Sequence, residues 1–409
     1  MSPGAKVFDL ALVGGGLVGA SLGCALAGSG LRVALIEPAK LSGDRPGVYD
    51  DRVIALSAGS RRVFEAIGSW DEIAAEATPI RSIHISERGR FGVAVLDAAD
   101  QGVAALGYVV PARSIGRALH HRLVSVPEVT MVSPARFADL QVDSGQASVA
   151  LETESGVSEL SARLVVAADG INSPVREAVD VAVMRWSYGQ SAVIANVTPE
   201  RPHRNIAYER FTDSGPVAML PMTEGRCALV LTVADSDVDM LMESNDQRFA
   251  EAVTERFGGR LGRLLQVGHR EAHPLTLVKA RAHYRARVAL IGNAAHTLHP
   301  VAGQGFNLGL RDVAALAEEV VNAHRAGEDL GDERVLARYA RWRSADQWRT
   351  AGFTDLLARL FANPLPPVRV ARGLGLLAFQ ALPPAKRILS QYAMGVVGPL
   401  PRLARGLPL

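Results

Sequence analysis

Cysteine is nearly absent: Cys24 and Cys227 are the only two in 409 residues. They lack the close spacing of a redox pair or a metal site, which excludes disulfide-cycling reductases and suits a reducing cytosol. An excess of either charge is missing too. Lys and Arg total 44 against 42 acids, a net charge of +2, so no nucleic-acid partner is expected. No internal repeat or long low-complexity tract is evident. Apolar residues make up 48% and charged ones 21%, the balance of a soluble globular enzyme with ample core for two domains or one interwoven unit. One run, Leu10 to Leu31, contains no charge at all and is long enough to mimic a membrane span. However, Gly14, Gly15, Gly16 and Gly19 interrupt it, and Val33-Ala-Leu-Ile36 follows as another strand. A buried strand and helix explain that pattern better than a span or a signal peptide.

Glycine, by contrast, is plentiful and placed with purpose. Val7–Val13, Leu17–Ala27 and Arg32–Ile36 read as a β-α-β unit, with Gly14-x-Gly16-x-x-Gly19 at its first turn and Glu37 ending its second strand. Such glycines let the backbone approach a pyrophosphate at a helix N-terminus, and Glu37 can accept hydrogen bonds from adenosine ribose hydroxyls. A carboxylate there repels the extra phosphate of NADPH, so the expected occupant is FAD or NAD.

A second glycine-rich turn, His299-Pro-Val-Ala-Gly-Gln-Gly-Phe-Asn-Leu-Gly-Leu-Arg-Asp312, lies near the other end of the chain. Arg287-Val-Ala-Leu-Ile-Gly-Asn293 before it reads as a buried strand, and Leu308 to Val321 after it has helical apolar spacing. Strand, loop and helix again turn backbone N–H groups and a positive helix end toward a ligand. A chain that grips one cofactor from both ends suits a flavoprotein better than an ordinary nicotinamide dehydrogenase. Leu160 to Ala167 reads as a strand ending at Asp169-Gly170, and Asp169 can cap the next helix or meet cofactor-facing groups. Arg113 to Val124 reads as a helix, and Arg52 and Arg113 can donate to phosphate or ribose. His296 and His299 have no cluster of further ligands, so both are read as packing residues and no metal is expected. Both cysteines are read as core.

The segments between these pieces differ in character. Ile80 to Ser86 and Ala192 to Val197 alternate, and Tyr208–Phe211, Val217–Leu220 and Cys227–Val233 are short runs separated by Gly, Pro and Asp. That is the pattern of a mainly antiparallel sheet. The expected fold is therefore α/β: a Rossmann-like FAD-binding domain assembled from residues 1–75, 105–180 and 276–325, and an inserted, mainly antiparallel β substrate domain from 76–104 and 181–275. C-terminal helices fill 326–409. No Asp or Glu follows Asp355, whereas Arg359, Arg369, Arg372, Lys386, Arg387, Arg402 and Arg405 remain. Pro-Pro pairs at 366–367 and 383–384 are expected to break this basic tail, which either packs on the body or leans on anionic lipid.

On these residues the chain resembles the single-component flavin aromatic hydroxylases, which combine the first glycine turn, an Asp-Gly motif and a late Gly-Asp motif. The stretch from His299 to Asp312 matches the signature of the ubiquinone-biosynthesis hydroxylases throughout its length. Ile83-His-Ile-Ser-Glu-Arg-Gly89, Ala192-Val-Ile-Ala-Asn-Val197, Glu209-Arg-Phe-Thr212 and Gly215-Pro-Val-Ala-Met-Leu-Pro-Met222 are similar to the members that act on 2-octaprenyl-6-methoxyphenol. The resemblance covers nearly the whole chain and is weakest at its C-terminus. One departure is Asn293, where many flavin hydroxylases carry Asp; Asn keeps an acceptor oxygen and adds donors.

This resemblance implies that Gly14, Gly16, Gly19 and Glu37 hold the ADP half of FAD, with Arg52 and Arg113 beside ribose and pyrophosphate. Asn293 would meet the ribityl–phosphate region. The turn from Pro300 to Asn307, with Gly303, Gln304 and Gly305, would place N–H groups at the pyrimidine edge of the flavin, and Asp169 would sit where flavin and nicotinamide sites meet. The implied reaction uses transiently bound NAD(P)H and O2 to hydroxylate a polyprenylphenol, para to the hydroxyl in 2-octaprenyl-6-methoxyphenol. Attack at another ring position and reduction of a polyprenyl chain both stay open. A flavin halogenase would need a paired-tryptophan motif, and Trp186-Ser-Tyr188 lacks the second Trp. No side chain stands out as the base that activates the phenol. The octaprenyl tail makes a cytoplasmic chain with peripheral inner-membrane contact, or ubiquinone-biosynthesis complex partners, physically attractive.

Overall fold

The computed structural model describes residues 7–40, 52–297, 304–344, 346–347, 375, 380 and 382–409. Its first sheet is built on the opening β-α-β unit: β1 (Val7–Val13), α1 (Leu17–Ala25) and β2 (Val33–Ile36). All four residues of β2 are buried, as expected of a strand covered on both faces. β1 pairs in parallel with β2 and with β11 (Gly156–Ala167); β8 (Val129–Val132) extends one edge and β18 (Val288–Leu290) the other, also in parallel. The short β17 (Tyr284–Arg285) finishes that edge antiparallel to β18. Helices α1, α4 (Ala112–Val124) and α8 (Gln304–Arg325) and a helix over 333–344, α9, cover one face with a core including Leu10, Leu119, Leu310 and Tyr339.

The opposite face carries a hairpin that sequence reasoning did not anticipate. β9 (Ala135–Val142) and β10 (Ala147–Thr153) pair antiparallel with one another, and β10 with β11. Their alternating burial is that of strands with one face covered. α5 (Pro174–Ala178) packs there through Val175.

A second, eight-stranded sheet runs in the order β19-β16-β12-β15-β14-β13-β5-β6. Its long central pair is β12 (Val183–Pro199) with β16 (Leu264–Ala280). β15 (Cys227–Ala234), β14 (Gly215–Pro221) and β13 (Ile206–Thr212) follow antiparallel, whereas β13 pairs in parallel with β5 (Ser82–Glu87). β6 (Val93–Asp97) and β19 (His296–Thr297) close the two edges. The expected end of the insertion at 275 thus falls inside β16, and the sheet continues to Ala280. The alternating run Ile80 to Ser86 is also divided. β4 (Thr78–Ile80) joins a small separate sheet with β3 (Val53–Ser57) and β7 (Gly107–Pro111), and the large sheet begins after Arg81.

Helices α6 (Val238–Glu243) and α7 (Asp246–Phe257) cover the outer face of the large sheet; Phe249, Val253 and Phe257 pack on Val193, Leu229 and Leu231. Two short helices complete the labelled set before the tail: α2 (Ala58–Ala66) and α3 (Trp70–Ala74). The inner face meets β3, β4 and β7 through Ala207, Ala228, Met222, Ile80 and Val109. Two domains thus share a packed seam.

In the tail, Leu382 is extended and Pro383-Pro384 opens a new helix, α10 (Pro383–Ala393), at its first positions, where the prolines' missing N–H groups cost no intrahelical bond; Pro366-Pro367 lies outside the described residues. Lys386 pairs with Asp100 at 3.0 Å, and Leu389 and Met394 pack against β5 and β6 through Ile85 and Leu96. Among the described residues no helix is long and apolar enough to cross a membrane.

Candidate active site

Four strand ends converge on one edge of the parallel sheet. Gly14 follows β1, Glu37 follows β2, Asp169 lies just beyond β11, and Asn293 just beyond β18. In an open α/β sheet this carboxyl edge is where ligands bind. Gly14 holds φ +105°, and a Cβ there would come 2.4 Å from the carbonyl oxygen of Ala168. At Gly19 a Cβ would lie 1.9 Å from the Gly14 carbonyl oxygen. These two glycines close the turn upon itself. Gly16 differs: a Cβ there would meet nothing within 4 Å, so its side of the turn faces open space.

That opening lies at the start of α1, whose N-cap makes no side-chain hydrogen bond and whose first turn carries no acid. Unclaimed N–H groups and a positive helix end attract an anion such as a pyrophosphate. Glu37 stands beside them. Its carboxylate accepts from the Gly15 N–H at 2.8 Å and from the Ala39 N–H at 3.1 Å, which fixes its position while lone pairs remain for a ribose. Asp169 accepts from the Val175 N–H at 3.1 Å through one oxygen. Its other oxygen is buried without a hydrogen-bond partner among the described residues. Burial raises the Asp169 pKa, against the Ser173 hydroxyl, the Val175 N–H and Arg176, which favour the anion. Helix capping at α5 is shared, because Ser173 accepts from the Arg176 N–H at 3.0 Å.

The second glycine turn leads into α8. Pro300 and Gly303 lie outside the described residues, as does His299, and Gln304 is described only as backbone. Gly305, in the first turn, again would place a Cβ in open space, and no acid occupies that turn. Asn307 plays a role that motif reading did not foresee. Its side chain is buried; the amide oxygen accepts from the Ser57 N–H at 2.8 Å and the Ser60 hydroxyl at 2.7 Å, and the amide nitrogen donates to the Ala55 carbonyl at 2.8 Å. It ties the start of α8 to β3 and α2. Asn293 is exposed in a single 3-10 turn, Gly292–Ala294. Arg52 and Arg113 are exposed where β3 meets α4, and Arg113 donates to Glu76 at 3.1 Å.

Behind the turn carrying Asn293 lies a charge cluster that sequence reasoning missed. Asp312, fully buried on α8, accepts from the Gly292 N–H at 2.9 Å, His296 Nε2 at 2.6 Å and Arg343 Nε at 2.7 Å. Arg343 on α9 also pairs with Asp346 at 2.5 Å, which Arg311 meets at 3.1 Å. Burial disfavours the Asp312 anion, but His296 and Arg343 outweigh it and hold the carboxyl well below the usual range. His296 is thus a structural partner, and among the described residues no group of His, Cys, Asp and Glu has metal-binding geometry. Cys24 and Cys227 are buried and unpaired, with burial pushing both thiols up to about 12.

The open sides of Gly16 and Gly305, the Glu37 carboxylate at the end of β2 and the unpartnered Asp169 oxygen fit an elongated dinucleotide with an anionic centre. Comparisons with known proteins agree. The model of the FAD binding domain family matches residues 8–354. Ubiquinone hydroxylase UbiL of Rhodospirillum rubrum is 40% identical over 99% of this chain and 94% of its own length. The 3-demethoxyubiquinol 3-hydroxylase of Escherichia coli strain K12 is 35% identical over 95% and 98%. Among solved structures, p-nitrophenol 4-monooxygenase PnpA of Pseudomonas putida shares the fold with a TM-score of 0.80 at 19% identity, covering 96% of this chain and 98% of that one. The chain belongs to the FAD-binding flavoprotein monooxygenases, in the family of ubiquinone-biosynthesis hydroxylases.

Proposed function

We propose that this flavoprotein monooxygenase hydroxylates the ring of 2-octaprenyl-6-methoxyphenol, or a close polyprenylphenol, para to its hydroxyl. The observation that carries the reading is the pair of glycines, Gly16 and Gly305, whose side faces open space at the starts of α1 and α8, in a chain whose full-length relatives are named as ubiquinone hydroxylases. The balanced reaction converts phenol, O2, NAD(P)H and a proton to hydroquinone, water and NAD(P)+. Bound FAD supplies the electron transfer from NAD(P)H and the activation of O2. The protein's own residues bind, orient and exclude water. Gly14, Gly16, Gly19 and Glu37 receive the ADP half, Arg52 and Arg113 face ribose and phosphate, and Asn293 meets the ribityl chain. The backbone N–H groups of Gly303, Gln304, Gly305 and Asn307, in the segment that Pro300 opens, stabilise negative charge at the pyrimidine edge. Asp169 lies between the flavin and the nicotinamide donor. The latter binds transiently, because among the described residues no second glycine-rich β-α-β unit awaits it.

A carbon para to a phenol oxygen is electron-rich, which favours attack there. Hydroxylation at another ring position is the second reading, favoured by the 35% identity to a 3-demethoxyubiquinol 3-hydroxylase. The long prenyl tail exceeds a small pocket, so we assign the face of α10 with exposed Arg387 and Ile388, and Leu382 just before it, to peripheral membrane contact. The compound accumulating in a strain lacking this chain, identified by mass spectrometry, tests the proposed reaction. Accumulated 2-octaprenyl-6-methoxyphenol supports it; an accumulated demethoxy quinone moves the attack to the other position. A product that gains only hydrogen would turn the enzyme into a reductase.

A further inference from the structure

Strand β13 presents its residues alternately to two environments. Tyr208 packs on Phe257 of α7 at 5.6 Å between ring centroids and on His84, and the Ser86 hydroxyl accepts from Arg260 at 3.2 Å, so even positions in β13 and β5 face the outer helices. Ala207 and Ile83 instead join the seam with β3, β4 and β7. Glu209 shares that inner face. Its register partners are Ile85 on β5 and Ala218 on β14, and Ala218 stands opposite Val230 on β15. Ile85 packs in a cluster with Ala58, the first residue of α2. The residue before it, Ser57, is held by Asn307 from the start of α8. Glu209 is therefore directed from the large sheet toward the side where α8 begins.

Its carboxyl makes no hydrogen bond or ion pair among the described residues, although neighbouring acids such as Asp97 and Glu200 are partnered. Solvent reaches part of the residue, and its register neighbours on the inner face are apolar. A carboxyl in that position is open to a ligand that enters between the sheet and the seam. An ionisable group so placed without a partner is costly to the fold, and such costs concentrate where chemistry requires them.

We infer that Glu209 accepts the proton of the substrate's phenol hydroxyl. The inference rests on the reading of this protein as a phenol hydroxylase. The O–H bond breaks, its electron pair stays on the phenolate oxygen, and the proton moves to a carboxylate oxygen of Glu209; ring oxygenation then proceeds on the more electron-rich phenolate. The proton returns to solvent when product leaves. Burial alone pushes the carboxyl up to about 7, which suits a base working near neutral pH. On the inner face the adjoining strands contribute one further titratable group, buried Glu87; Ile83, Ile85, Ala218, Leu220, Ala228 and Val230 are the apolar remainder. Arg260 lies on the outer face.

Purified holoenzyme carrying Glu209→Gln or Glu209→Asp is assayed with a short-chain prenylphenol, following bound flavin, flavin reduction by NAD(P)H, product and hydrogen peroxide. Expected for Glu209→Gln are unchanged flavin content and reducibility, product formation lower by about 10²-fold or more, and NAD(P)H diverted to peroxide. Wild-type turnover should fall as pH drops below about 7, and that limb should vanish in Glu209→Gln while Glu209→Asp retains part of the activity. Wild-type turnover and pH profile in Glu209→Gln would overturn the inference and leave the hydroxylase reading intact. Absence of any oxygenated product from the wild type removes the hydroxylase reading, and this inference with it.

Discussion

Asp312 on α8, fully buried, and Glu209 on β13, which solvent partly reaches, are two acids held under opposite arrangements. Asp312 is saturated: the Gly292 N–H, His296 and Arg343 converge on it within 2.9 Å. Glu209 has apolar register neighbours and no partner among the described residues. A buried charge whose lone pairs are all used can only hold structure, here locking the turn of Asn293 to α8 and α9. A carboxyl kept in reserve is free to meet a ligand. Degree of satisfaction, more than burial, separates the scaffold from the chemistry in this molecule.

The largest effect should come from breaking the saturated cluster. Asp312→Ala leaves Arg343 buried without its main partner, and we expect a loss of about 3–5 kcal/mol in unfolding experiments. A change under 1 kcal/mol would mean the cluster relaxes or hydrates, and the contrast would lose its first half. Next comes Gly16→Val, which leaves both acids untouched and fills the open side of the first turn. Flavin retention should weaken at least about tenfold, seen by titration of stripped protein with FAD, since the backbone can no longer approach a pyrophosphate. Unchanged flavin content in folded variant would remove that turn from the site.

Smaller effects should carry opposite signs with pH. The folded-state pKa of Asp312 lies below its unfolded value, so its contribution is present above about pH 4 and lost as pH falls further. For Glu209 the folded value, about 7, lies above the unfolded one. Its ionisation therefore costs stability as pH rises from about 4.5 toward 7. Glu209→Gln should accordingly stabilise the protein at pH 8, on the order of 1 kcal/mol after allowance for its solvent contact. Thermal melts at pH 5 and 8 check this; destabilisation at pH 8 would reveal a partner for the carboxylate. Last, Cys24 and Cys227, with thiols near 12, should resist alkylation at pH 8 until the chain unfolds.

Much of this scaffold was legible in the sequence because its signals are local. The β1 bounds, the first glycine turn and the helix after the second turn follow from apolar runs and glycine spacing alone. What escaped depends on partners distant in the chain. The β9–β10 hairpin has polar alternation, and its pairing with β11 is decided by tertiary contact. Asp312 closes a motif that was read for its glycines, and its meaning lies in His296 and Arg343. A signal existed, since Asp312 sits among Leu308, Ala315 and Leu316 on an apolar stripe. Glu209 likewise occupies an inward position between Ala207 and Phe211, but only the register of three strands tells which way is inward.

The central claim is that this flavoprotein inserts oxygen from O2 into a phenol ring. Purified holoenzyme supplied with NAD(P)H, a short-chain prenylphenol and isotopically labelled O2 tests it most directly, with the product read by mass spectrometry. One labelled oxygen in the new hydroxyl is the result predicted. A product whose oxygen comes from water, or one that gains hydrogen alone, would contradict the account.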